Sequence, residues 1–79
     1  MDHLIGWVGV VTIGTATEER AAEVRVTGPD GRPHYVMCRV SGESVTQGGE
    51  VLLRSRDAVS GCFHGVRNTD PNLSPKIYT

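Results

Sequence analysis

Residues 21–40 read AAEVRVTGPDGRPHYVMCRV, and this stretch decides the fold class. Before the turn, Ala22, Val24 and Val26 alternate with Glu23 and Arg25; after it, Val36, Cys38 and Val40 alternate with Tyr35, Met37 and Arg39. Successive side chains of a strand point to opposite faces, so each half can bury one face and leave the other in water. Gly28-Pro29-Asp30-Gly31 between the halves supplies turn chemistry, and the whole reads as a β-hairpin.

Working outward, the chain has 79 residues, enough for one domain. A chain this short buries only roughly 60% of its unfolded surface, so its core is thin. An apolar content of 38% with 5% aromatic residues fits a single small core. The net charge of −1 carries no basic footprint of the kind nucleic-acid binders show. The longest apolar run, Leu4 to Ile13, is interrupted by Gly6 and Gly9; it is too short for a membrane helix and lacks the basic flank of a signal peptide. The chain therefore reads as a soluble piece, which leaves room for a membrane-bound parent. Two cysteines, Cys38 and Cys62, permit at most one internal disulfide; both fall in predicted strands, where a buried free thiol is the commoner state.

Five strands are predicted. The first is Leu4 to Ile13, long and bent at its glycines. The hairpin provides the second and third. The fourth is Glu50 to Arg56, and the fifth Val59 to Val66, anchored by Phe63. The segment Ser41 to Gly49 is polar apart from Val45, which is expected to tuck under the barrel as a cap. Asp57-Ala58 reads as a short turn, and Thr15 to Ala22 is the one short stretch with helical spacing. From Arg67 onward periodicity is lost, and only Leu73, Ile77 and Tyr78 offer apolar anchors. The organisation expected is an all-β, small five-stranded OB-like barrel over residues 1–66, followed by a flexible, loosely ordered tail over 67–79. An SH3-like barrel or an open sandwich competes, because pairing order is not legible in one sequence.

Three segments carry a resemblance. GWVGVVTIGTA (Gly6 to Ala16) is similar to the first-strand signature of the C-terminal OB domain in NfeD-like membrane proteins. AAEVRV followed by GRPHYVM (Gly31 to Met37) resembles the YqiJ-type branch, and QGGEVLL (Gln47 to Leu53) resembles the approach to the fourth strand in both. The likeness covers residues 4 to 56, reaching towards Val66. It implies a parent with several membrane helices before a soluble barrel, at the cytoplasmic face of an inner or plasma membrane. It also implies assembly with stomatin- or flotillin-like scaffold proteins, or with copies of the chain itself. Longer relatives carry an upstream serine protease domain; the family transfers no catalytic residues to this region.

Residue types that could carry chemistry are few. His34, Cys38, Cys62 and His64 are types zinc prefers, but His34 and Cys38 lie about 13 Å apart along one strand, too far for one ion. Cys62 and His64, two apart, would make half a metal site or a thiol–imidazole pair, with no orienting carboxylate or oxyanion hole in evidence. No cofactor, no metal and no enzymatic activity are expected. The candidate interaction face is Arg25, Tyr35, Met37 and Arg39, with Trp7 as a further contact if it points outward. The alternative use of that face, single-strand nucleic-acid binding, would set Tyr35 as a stacking base beside Arg25, Arg32 and Arg39. One aromatic balanced by Glu23 is thin for such a platform.

Overall fold

The computed structural model describes residues 2–69. A 3-10 turn, Asp2–Leu4, precedes five strands: β1 (Val8–Ile13), β2 (Ala22–Thr27), β3 (Pro33–Ser41), β4 (Glu50–Arg56) and β5 (Phe63–Arg67). They close into a barrel in the order β1-β2-β3-β5-β4, with β4 returning to β1. All neighbouring pairs are antiparallel except β3 and β5, which run parallel. Closure rules out the open sandwich, and the parallel pair reached across β4 rules out a barrel of purely sequential antiparallel strands.

The hairpin forms as its alternation requires. Six consecutive pairs run from Ala22↔Cys38 to Thr27↔Pro33. Ala22, Val24 and Val26 face inward against Val36, Cys38 and Val40, and all are buried. The tip is held by Gly28 N–H donating to Arg32 C=O and by the Asp30 carboxylate, which accepts the Arg32 N–H at 3.1 Å. Val11, Val51, Leu53 and Phe63 complete the barrel interior.

Several boundaries differ from the sequence reading. β1 begins at Val8, because the chain turns before it: Trp7 N–H bonds Leu4 C=O and Gly6 N–H bonds Leu53 C=O. Leu4 is thereby fully buried as a plug instead of lying in a strand. β5 begins at Phe63, and Val59 is 97% exposed in a loop. The cause is Asp57, whose carboxylate accepts the Val59 and Ser60 N–H groups while its own N–H bonds Cys62 C=O; local capture of those groups stops the chain from extending. The expected two-residue turn is therefore a six-position loop over 57–62. Thr15 to Ala22 forms no helix. Thr17 Oγ1 accepts the Glu19 and Arg20 N–H groups in a side-chain-closed turn, and Ala16 bridges to Val45.

Val45 behaves as the expected cap, buried within the core cluster. At the far end β5 runs through Arg67, and Asn68 is tied to Glu50 through both backbone and side chain. Residues 70–79 lie outside the described residues, and with them the expected tail anchors Leu73, Ile77 and Tyr78.

Candidate functional site

The outward positions of the hairpin form one surface. Arg25 and Tyr35 are direct cross-strand partners, and Glu23 and Met37 are the next such pair on the same face. Tyr35 is 58% and Met37 50% exposed, while Arg25 and Arg39 are also exposed. Tyr35 and Met37, two residues apart on one strand, make a small exposed apolar patch on that face. The carboxylate among them is already engaged: Glu23 Oε1 accepts the Thr12 hydroxyl at 2.8 Å. Arg39 continues the face towards β5, where its partner is His64.

Trp7 does not join this group. It is partly buried against the core, and its carbonyl accepts the Leu53 N–H, which ties it to β4, on the flank of β1 away from β2. The structure thus brings Arg25, Tyr35, Met37 and Arg39 together and uses Trp7 in the barrel wall.

A surface pocket of about 280 Å³ opens beside the same residues. Its lining joins Tyr35, Val36 and Met37 of β3 to Arg56, Ser60, Gly61, Cys62 and Phe63. Sequence reading missed it. With 59–62 taken as strand, the chain would have closed against β3 there; in the structure those residues are loop, and a gap remains.

The four metal-type residues are dispersed. His34 sits by the hairpin tip, its Nε2 3.2 Å from the Asp30 carboxylate and its ring edge-on to His3 at 5.6 Å. Backbone donation from Arg32, reinforced by His34, holds the Asp30 carboxyl below its ordinary value. Cys38 is fully buried, and desolvation, reinforced by the nearby Cys62 thiol, pushes its pKa up to about 12. A thiol so placed stays protonated near neutrality and is no nucleophile. Cys62 is half-buried at the pocket and lies just before β5, outside any strand. Both cysteines are free thiols. Among the described residues, no three His, Cys, Asp or Glu side chains gather as a metal-binding group. Among the same residues, no helix is long and apolar enough to cross a membrane.

Comparison with known proteins adds one match. The family model described as "Inner membrane protein YqiJ, OB-fold" matches residues 3–60, a span that takes in most of the 3-10 turn, β1 to β4 and most of the loop before β5. No curated protein matches the chain.

Proposed function

The chain belongs to the YqiJ OB-fold family, and from that premise we propose that it is a non-enzymatic protein-interaction domain of an inner membrane protein. Its partner is a stomatin- or flotillin-like scaffold protein, met at the cytoplasmic face. The observation that supports this reading is the hairpin's outer surface, where Tyr35 and Met37 stand exposed together on one face beside Arg25 and Arg39. Aromatic, Met and Arg side chains are the types enriched where proteins meet. The buried Cys38 and the scattered histidines speak for packing and local bonding, not for chemistry.

The test uses the full-length parent as bait in native membranes. A stomatin- or flotillin-like protein should be recovered, and the double variant Tyr35→Ala/Met37→Ala should reduce its recovery at least tenfold, as expected for loss of central contacts. Recovery of no such protein would remove the reading.

The same Tyr35 beside Arg25 and Arg39 favours a second reading, a single-strand nucleic-acid platform. Titration with labelled single strands at low salt decides it: real phosphate contacts give a steep salt dependence. Binding no tighter than to an equally charged control protein excludes it.

A further inference from the structure

β3 is nine residues long, and only part of it has strands on both sides. Its pairing with β5 runs from Cys38 to Ser41. Among the described residues, it pairs with β2 alone from Pro33 to Met37. Among those residues the barrel is therefore open along one short edge, and the pocket described above lies beside it.

The direction of the backbone groups on that edge follows from the ladder. In an antiparallel pair, hydrogen-bonded and non-hydrogen-bonded residue pairs alternate, and residues of the second kind turn their N–H and C=O away from the partner strand. Gly28 N–H donates to Arg32 C=O at 3.1 Å. Counting in steps of two, Val26–His34 and Val24–Val36 are also hydrogen-bonded pairs, whereas Arg25–Tyr35 and Glu23–Met37 are not. The N–H and C=O of Tyr35 and the N–H of Met37 thus point away from β2, towards the loop over 57–62. Among the described residues, none of the hydrogen bonds of turns and loops takes up these groups.

An occupant that satisfies in-plane backbone donors and acceptors at two-residue spacing is another extended chain. Its charge follows from the surroundings. Arg25 stands beside Tyr35, and Arg39 lies two residues beyond Met37; both are exposed. With Arg56 in the pocket lining, three cations outnumber the two nearby carboxylates, Glu23 and Asp57, which keep their charge while accepting local hydrogen bonds. The pocket between Met37 and Cys62 offers room for an apolar side chain of the added strand.

We propose that the free edge of β3 at Tyr35–Met37 accepts an extended, acidic segment of the protein partner as a sixth strand. This rests on the protein-interaction reading above and specifies its mode. The backbone supplies the affinity, and Arg25, Arg39 and the pocket select acidic residues flanking an apolar one.

The test uses the isotope-labelled 79-residue chain and three probes: the capped peptide DEVTVTVED, the same peptide N-methylated throughout its central residues, and a thymidine oligonucleotide. The peptide should slow solvent exchange of the Tyr35 amide at least tenfold, as a newly paired strand does. The N-methylated peptide, which keeps the side chains but loses the backbone donors, should leave exchange unchanged. Equal binding of both peptides, or no protection of the Tyr35 amide at millimolar peptide, overturns the proposal. So does protection by the oligonucleotide and not by the peptide.

A variant gives an independent arm. Tyr35→Pro removes the outward N–H and should abolish amide-level pairing, read at Met37; Tyr35→Phe, which keeps both the ring and the N–H, should preserve it. If the proline variant fails to fold, the methylated peptide still decides. In the membrane pull-down, scaffold recovery that survives Tyr35→Pro but is lost in Arg25→Glu/Arg39→Glu sinks strand addition and leaves the partner reading standing. Protection by the peptide with no scaffold protein recovered does the reverse.

Discussion

Cys38 lies inside the barrel opposite Phe63, and its burial has a consequence that can be measured. Its pKa is raised from 9.0 to about 12 in the folded chain. The neutral thiol is favoured by the fold, so the associated stability is fully present below the unfolded value and is lost as pH rises from 9.0 towards about 12. By pH 10 the loss should be on the order of 1 kcal/mol, and Cys38→Ala should abolish that slope while lowering stability at neutral pH. Urea midpoints measured across the alkaline range check it. Gly65 is equally exacting for a steric reason. A Cβ there would meet the Leu52 carbonyl oxygen at 2.5 Å and Val51 Cγ1 at 2.7 Å. Gly65→Ala should cost about 1–3 kcal/mol in chemical denaturation, since backbone has to shift to admit it. The burial of Cys38 was legible from the alternation of the hairpin; the cost at Gly65 was not, since a glycine in a predicted strand carries no mark of what faces it.

At the scale of elements, the hairpin and β4 were readable and the ends of β1 and β5 were not. Alternation over Ala22–Val26 and Val36–Val40 states which face is buried, and Val51 and Leu53 carried the same signal in the first half of β4, whose last three residues are all exposed. Leu4 and Val59 look alike to a periodicity argument, yet one is fully buried outside any strand and the other is exposed. The difference lies in local hydrogen bonding, above all at Asp57, whose side chain captures two backbone N–H groups and holds the loop over 57–62 away from β3. These bonds lower the Asp57 carboxyl pKa below 3.8, the cause being donation from Val59 and then Ser60. With a depressed folded value, the loop's contribution is present above the unfolded pKa and is lost as pH falls through the folded one. Asp57→Asn should therefore flatten the acid limb of stability as pH falls below the carboxyl's ordinary value, measured by urea denaturation, and leave the alkaline limb unchanged. The edge beside Tyr35 exists because this loop does not extend.

At the scale of the whole molecule, two side chains from outside the strands fill the barrel ends. Leu4 packs against the hairpin tip, where its Cδ2 lies 3.0 Å from the position a Cβ on Gly28 would take, and Val45 plugs the other end through its bridge to Ala16. In a domain of this size a plug weighs heavily. Leu4→Ala should cost about 2–5 kcal/mol, and the melting temperature followed by circular dichroism should fall by roughly 10 °C or more. A loss within about 1 kcal/mol would mean that the turn before β1 is not part of the cooperative unit. The sequence by itself determined the all-β class, the inward set of the hairpin, Val45 as a cap and the outer row of Arg25, Tyr35, Met37 and Arg39, because each follows from alternation or from nearest neighbours along the chain. Only the tertiary structure decided that β3 pairs parallel with β5, that this pairing starts no earlier than Cys38, and that Trp7 belongs to the wall while Tyr35 borders a pocket. Those outcomes depend on contacts between residues far apart in the chain, where barrel closure sets the register and no local pattern records it.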